Sequence, residues 1–315
     1  MPKVSVIIPC RNAEAWVGET VASVVSQAEV SCELIVVDDG SDDRSAEIAS
    51  ASAAGKLTLI RQEASGVSRA RNVGTAAASA PFLQYLDADD VLMPGTLAAR
   101  VSALDQSQAD VAYCDWQRWQ RGTNGVFGPG EDVRRVLGNR PELELLDDAW
   151  WPPGALMYRR ALVDRLLPWR EDLPVIQDAR FQQDAAFAGA RFVHVASLGL
   201  RYRVHDNESL SRRDPVAFID DCFLNISDLH ERWEAAGTLD EERRRALLRG
   251  YSFAVRSYFQ RNRAKFDAAL ERARTLDPRF VPDGPRSLRL LSRVVGYRAA
   301  EHVAAGWRAA KVKSW

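Results

Sequence analysis

Three carboxylates fall within four residues at Tyr85-Leu86-Asp87-Ala88-Asp89-Asp90, directly behind a short apolar run. Like charges this close repel and lose hydration, so the cluster calls for a cation. Hard divalent ions take oxygen ligands, and Mg2+ is held by one or two carboxylates together with substrate phosphates. An Asp-x-Asp at a strand end is therefore an anchor for a metal-bound diphosphate; an acidic turn capping a helix near Pro94 is the structural alternative. A second cluster, Val36-Val37-Asp38-Asp39-Gly40-Ser41, also closes an apolar run. A carboxylate there can accept hydrogen bonds from a nucleobase imide or a ribose hydroxyl, and glycine permits close backbone approach. A plain strand–turn–helix link with Asp and Ser as caps would look the same. The third, Gly66-Val67-Ser68-Arg69-Ala70-Arg71-Asn72, puts two arginines in the first turn of a helix, against the dipole preference. Their partner is an anion: a neighbouring carboxylate such as Asp39, or a nucleotide phosphate. Neither G-x-G-x-x-G after the first strand nor a Walker A loop is present, so a nucleotide would be gripped through a metal on its diphosphate rather than by a glycine loop.

The elements that must position these clusters follow from periodicity. Short β-branched runs at 4–9, 33–38, 57–61, 82–86 and 110–116 read as buried strands. Helical spacing at 13–27, 43–53, 67–78 and 94–106 alternates with them, and Ser41 or Asp42 can cap the second of these helices. A β-α-β-α order means parallel strands with helices on the sheet faces, and ligands bind beyond the carboxyl ends of such strands. The polar clusters at 10–12, 38–41 and 87–90 all sit there. Further on, residues 122–132 are glycine-rich and read as a mobile loop, 143–151 as a short helix, 155–159 as a strand, 178–189 as a helix, and 191–195 and 198–205 as two strands. From Pro215 the pattern is helical, over 215–236, 240–262, 263–276 and 287–311.

The chain has 315 residues, 46% hydrophobic and 27% charged, which is globular composition. The formal net charge of −1 excludes a polyanion binder that works by bulk charge. That balance hides an asymmetry, net −6 over residues 1–130 and +5 beyond. No apolar run is long enough for a membrane span, and MPKVSVIIPC enters a strand at once, so no signal peptide is expected. Cys10, Cys32, Cys114 and Cys222 are scattered without C-x-x-C, so buried thiols in a reducing compartment are expected rather than disulfides or zinc.

The segments VSVIIPCRNAE (4–14), ELIVVDDGSDD (33–43), SGVSRARNVG (65–74), QYLDADD (84–90), VIQDARF (175–181) and GARFVHV (189–195), in this order, resemble inverting glycosyltransferases of family 2 over roughly residues 3–210. The resemblance implies an α/β fold of the GT-A type: a Rossmann-like, mostly parallel sheet with helices on both faces, followed by a helical C-terminal extension. It implies a catalytic domain over 1–212, with a nucleotide-sugar half (1–116) and an acceptor half (117–212), and a helical region over 213–315. By the same resemblance Pro9 and Arg11 line the base pocket, although an aromatic is common where Arg11 stands. Asp39 bonds the base, Arg69 and Arg71 belong to the nucleotide site, and Asp87 lies near the ribose or a metal-bound water. Asp89 ligates Mn2+ or Mg2+ with help from Asp90, and His205 reaches the diphosphate or the metal. Asp178 is the catalytic base, although Gln177 replaces the Glu that usually precedes it. The implied reaction moves one sugar from a nucleotide-diphospho-sugar, a UDP-sugar on family frequency, to a glycan or lipid-linked acceptor in cell-envelope polysaccharide synthesis, with no nucleic acid involved. One base and in-line attack invert the anomeric carbon. Taken by itself, Asp178 reads as a helix N-cap; within the full set of motifs it reads as the base.

The resemblance places Trp150, Trp151, Pro152 and Pro153 on the acceptor side, where either tryptophan could stack on a sugar ring or anchor the loop to the core. The last stretch interleaves Arg286, Arg289, Arg293, Arg298, Arg308, Lys311 and Lys313 with Leu288, Leu291, Val294, Val295, Tyr297, Val303 and Trp307. Such a helix can lie on an anionic membrane, giving a cytoplasmic protein peripheral on the inner face, or pack on the catalytic domain with a solvated basic face. Two other functions fit the sheet type. A nucleotidyltransferase would resemble proteins with a glycine-rich activating loop, absent after Ile8, and a non-catalytic nucleotide-sugar-binding module would not need both Asp89 and Asp178.

Overall fold

The computed structural model describes residues 1–122, 125–205 and 213–312, the last helix by its backbone alone from residue 305. The chain divides into two compact units, Met1–Asp214 and Pro215–Trp315. Among the described residues the first is built on one sheet of nine strands: β1 (Val4–Cys10), β2 (Cys32–Asp39), β3 (Leu57–Gln62), β4 (Phe82–Tyr85), β5 (Val91–Leu92), β6 (Val111–Arg121), β7 (Phe127–Val133), β8 (Leu156–Arg159) and β9 (Phe192–Val204). Its order is β3-β2-β1-β4-β8-β6-β9-β5, with β7 hung on β6. β3, β2, β1 and β4 run parallel; beyond β4 the sheet is mixed, with β8 antiparallel to both β4 and β6, and β9 parallel to β6.

The helices are α1 (Val17–Val25), α2 (Ser45–Ser52), α3 (Val67–Ala77), α4 (Thr96–Gln106), α5 (Pro141–Asp147), α6 (Arg160–Leu166) and α7 (Gln177–Phe187). The two-residue period of β2 divides them between the faces. Leu34 and Val36 join the main core with Ala49 and Ala53 of the α2 segment, whereas Ile35 and Val37 pack on Ala70 of α3. α3 lies close on the sheet because Gly74 has no side chain: a Cβ there would stand 2.5 Å from Ile7 Cγ2. Gly40, at φ +69°, turns the chain out of β2, and a Cβ there would meet the Ala64 amide at 2.8 Å.

Four local expectations need correction. Residues 122–132 do not form a loop throughout, because Phe127–Val133 pairs antiparallel with β6. Its glycines and Pro129 are tolerated on an edge strand that has only one hydrogen-bonded neighbour. The strands expected at 191–195 and 198–205 are one strand, β9, whose pairing with β6 shifts register near Cys114–Trp116. The helix beyond α1 is capped by neither Ser41 nor Asp42; the Asp43 carboxylate accepts the Ser45 N–H at 2.9 Å. The long last helix breaks at Gly296, φ +80°.

Among the described residues the second unit therefore holds five helices, α8 (Pro215–Ala235), α9 (Glu241–Tyr258), α10 (Arg263–Leu276), α11 (Arg286–Val295) and α12 (Tyr297–Val312). Asp240 and Asn262 cap α9 and α10 by accepting the amides of Arg243 and Lys265. Leu229, Trp233, Leu247, Tyr251, Val255 and Phe266 form its interior. The side chains of Trp307, Arg308, Lys311 and Lys313 lie outside the described residues.

Candidate active site

The carboxyl ends of β1 and β2 form one rigid edge. Asn12, in the left-handed region at φ 49°, accepts the Asp42 amide at 2.9 Å through Oδ1, and its own amide donates to Ser41 Oγ at 3.0 Å. The Ala13 amide donates to Ser45 Oγ, the Glu14 amide to Asp43, and the Arg44 amide to Glu14. Pro9 is buried in β1 opposite Val37, and Arg11 stands exposed just beyond the strand. Burial holds the Cys10 thiol at about 12, an inert group beneath the edge. The four cysteines are free, Cys10 and Cys114 buried and Cys32 and Cys222 partly so.

Asp39 is occupied. Its Oδ1 accepts from Gln62 Nε2 (2.7 Å) and the Ser65 amide (2.8 Å), and its Oδ2 from the Gly66 amide (2.9 Å). It fixes the entry to α3 and keeps one acceptor direction on Oδ2. Neither arginine of α3 pairs with it. Arg69 is exposed and leans toward Glu171 at 3.8 Å. Arg71 is 2% exposed, lies over Trp169 at 4.6 Å and donates to Asp87 Oδ1 at 2.7 Å. Arg71 thus reaches the site through Asp87 rather than directly.

The three acids behind β4 diverge. Burial raises the Asp87 carboxyl above its ordinary range, Arg71 opposes that rise, and Asp89 and Asp178 add to it. Asp89 Oδ2 pairs with His205 Nε2 at 2.9 Å. Asp90 is 1% exposed, and its Oδ1 accepts the Arg203 amide at 2.9 Å. Its Oδ2 is buried and has no hydrogen-bond partner among the described residues. Through Oδ1, Asp90 joins the β4–β5 link to β9.

The β9 end is a second organiser, and sequence reasoning did not single out its centre. Arg203 is 3% exposed; it donates to the Asp89 carbonyl (2.8 Å) and to Glu19 (2.7 Å), and lies over Trp16 at 4.5 Å. Phe127 of β7 and Trp16 flank the His205 ring at 5.5 and 5.4 Å. Nothing in local spacing marks Trp16 or Phe127, because the antiparallel β5–β9 pairing (Val91 opposite Arg201) and the β6–β7 hairpin bring them together.

Asp178 opens α7, half-buried. Its Oδ1 accepts the Ala179 amide at 2.8 Å, and its Oδ2 accepts Trp150 Nε1 at 2.9 Å. Burial raises its pKa above the ordinary 3.8, with Arg71 and these two hydrogen bonds pulling the other way. Gln177 is buried, and its side-chain oxygen accepts the Asp178 amide at 2.7 Å. Tyr202 of β9 packs edge-on to Trp150 at 5.6 Å, and burial, followed by the fields of Asp90, Asp87, Asp178 and Asp89, raises its phenol. Trp151 is fully buried against Tyr113 at 5.0 Å, so the expectation that it offers a stacking face is corrected: it is a core residue.

Among the described residues no three His, Cys, Asp or Glu side chains form a ready metal site. Asp89 and His205 nevertheless fit a divalent ion, as a hard oxygen and an imidazole already 2.9 Å apart, if substrate oxygens supply the other ligands.

The profile of glycosyl transferase family 2 matches residues 5–166. Over 217 residues the chain is 31% identical to the uncharacterized glycosyltransferase EpsJ of Bacillus subtilis, covering 66% of this chain and 62% of that one. It is 30% identical over 224 residues to the succinoglycan biosynthesis protein ExoU of Rhizobium meliloti, covering 65% and 63%. The match thus spans under two thirds of either relative. A Mycobacterium bovis PGL/p-HBAD biosynthesis glycosyltransferase is 30% identical over 225 residues, covering 67% of this chain and 84% of its own length. In fold, residues 1–349 of Staphylococcus aureus TarS, solved with UDP-GlcNAc, superpose with a TM-score of 0.68 at 20% identity over 96% of this chain and 92% of that one. The mannosyltransferase PcManGT of Pyrobaculum calidifontis, solved with GDP-Man and Mn2+, gives 0.56 at 18% identity over 98% and 88%. The fold is of the GT-A type, and the chain belongs to glycosyl transferase family 2.

Proposed function

We propose that this chain transfers one sugar from a nucleotide-diphospho-sugar to a hydroxyl of a glycan or lipid-linked saccharide, with inversion at the anomeric carbon. One observation carries the reading. A single half-buried carboxylate, Asp178, is oriented by two donors and lies within electrostatic reach of Asp87 and Arg71, while Asp89 and His205 stand ready for the diphosphate. Asp178 takes the proton from the acceptor hydroxyl, a contribution of about 10²–10⁴-fold. Pro9, Asp39 and Arg11 bound the base pocket, and Asp87, steadied by Arg71, faces the ribose. Asp89 and His205 would hold a divalent ion, which would supply charge stabilisation of the leaving diphosphate. Uridine is the favoured nucleotide, on family frequency and because TarS was solved with UDP-GlcNAc; PcManGT, solved with GDP-Man, keeps guanosine in the test. Residues 1–116 would then serve the donor and 117–212 the acceptor. In a thermal-shift panel of nucleotide-sugars with Mn2+ or Mg2+, one donor is expected to raise the melting temperature in a concentration-dependent way. A panel in which none does, with no nucleoside diphosphate released on adding saccharide acceptors, would refute the assignment.

We further infer that α11 rests on an anionic lipid surface. No described helix is long and apolar enough to span a membrane. Leu290 and Val294 are nonetheless 62% and 83% exposed, beside Arg286, Arg289 and Arg293, which have no carboxylate partner among the described residues. A row of arginines beside apolar side chains suits lipid phosphates above acyl chains, and it repels a second copy of itself. The full chain is expected to sediment with phosphatidylglycerol vesicles but not with pure phosphatidylcholine, and Leu290→Glu with Val294→Glu to abolish this. Equal binding to both vesicles, or none, would remove the contact.

A further inference from the structure

Trp150 and Trp151 are neighbours in sequence and opposites in environment. Trp151 is sealed in the core, and its backbone is clamped to α7: its amide donates to Gln182 Oε1 at 3.2 Å, and its carbonyl accepts Gln182 Nε2 at 2.8 Å. Gln182 lies one turn beyond Asp178, on the same face of α7. The clamp therefore sets the register in which Trp150 meets Asp178. Trp150 is half-buried, with its ring held edge-on by Trp116 at 6.4 Å and 89° and by Tyr202 at 5.6 Å and 74°. From that fixed ring the indole N–H reaches Asp178 Oδ2 at 2.9 Å.

We propose that Trp150 is a positioning residue for Asp178, its indole N–H fixing the carboxylate in the rotamer that receives the acceptor's proton. This rests on Asp178 being the base, as argued above. The need for such a device is local. The backbone donors to Asp178 come from its own helix turn, with the Ala179 amide on Oδ1, so Trp150 is the donor that ties the carboxylate to another segment. The residue before it offers no help, because Gln177 turns its oxygen to the Asp178 backbone. An indole is a donor that neither accepts nor titrates. It stabilises the ionised carboxylate without adding a charge near the incoming hydroxyl, and each oxygen keeps an acceptor direction. The groups facing Asp178 from other elements are Arg71 of α3, Asp87 behind β4, Tyr158 of β8 and Tyr202 of β9. Of these Arg71 favours ionisation and Asp87 opposes it, and Trp150 adds to the favouring side.

The test is the pH profile of kcat/KM in Trp150→Phe, which keeps a ring and loses the donor. Its acid limb is expected to move to higher pH by about one unit or more, with kcat at neutral pH lower by about 10- to 100-fold. The acceptor KM is expected to stay within about twofold, because the inference gives Trp150 no direct share in ground-state binding. An unmoved limb with unchanged kcat overturns the inference. So does a raised acceptor KM with limb and kcat unmoved, which would make Trp150 a sugar platform instead. Should Trp150→Phe fold poorly by circular dichroism, 3-benzothienylalanine at position 150 replaces the N–H by sulfur within nearly the same ring, and the same shift is expected. Asp178→Asn separates the two levels. If that variant turns over normally, the base assignment is wrong; if it is inactive while Trp150→Phe behaves as wild type, only the positioning role is wrong.

Discussion

Asp178→Asn is expected to lower sugar transfer by about 10²–10⁴-fold while donor binding is retained. Asparagine fills the same space but cannot accept a proton, so the loss should fall on kcat, with the thermal shift from the donor unchanged. The wild-type enzyme should show an acid limb in kcat/KM above the ordinary aspartate value, because burial raises the Asp178 carboxyl. Stability gives an independent check of the same shift. A carboxyl whose folded pKa lies above its unfolded one holds its proton in the native state longer than in the unfolded chain. Between the two values the unfolded state binds fewer protons, so wild-type stability falls as pH rises through that window. Asparagine has no such dependence. The stability of Asp178→Asn relative to wild type should therefore rise from low pH to neutrality, whatever its absolute offset from the donor left unpaired. A variant that transfers sugar at the wild-type rate would show that another group takes the proton.

The parallel half of the sheet was legible because its strands are nearly pure β-branched runs, closed by polar residues that nothing in a core would need. Val4–Cys10 and Cys32–Asp39 are hydrogen-bonded on both sides, and strands covered on both faces write that fact as unbroken apolar sequence. The second half was less so. β7 carries Gly128, Pro129 and Gly130, a loop composition, and becomes a strand only because β6 offers it an open edge. At the site, residue type was legible and direction was not. Asp89 and Asp90 are equivalent as letters, yet the pairing of β5 with β9 turns one to His205 and the other to a buried amide. Trp150 and Trp151 are separated in the same way by the Gln182 clamp. Arg71 announced an anionic partner, a carboxylate or a phosphate, but which one depended on the close approach of α3 that Gly74 permits, and in the structure it pairs with Asp87 rather than Asp39. Arg203 sits in a stretch that reads only as basic; its burial follows from aromatics contributed by three distant segments.

Asp89→Ala is expected to have the other large effect, a loss of about 10³-fold in transfer, since charge stabilisation of a leaving group by a bound cation is worth several kcal/mol. The structure makes this a clean test. Asp89 is held to β9 at two points, and the substitution removes only one. The His205 pairing is lost with the carboxylate, but the Asp89 carbonyl remains to accept Arg203 Nη1, and Arg203 keeps Glu19 and the face of Trp16. The β5–β9 pairing and the Asp90 contact to the Arg203 amide do not involve the deleted atoms. The melting temperature without ligands should therefore stay near that of wild type, and the change should appear in the response to metal. In wild type the thermal shift from the donor should grow when Mn2+ is added; in Asp89→Ala that increment should vanish, and titration of Mn2+ followed by electron paramagnetic resonance should show weakened binding. Asp89→Ala with full turnover and an unchanged Mn2+ response would mean that the diphosphate is not held at the β4–β5 link, and the Asp89–His205 pair would then be a tie between two strand ends and nothing more.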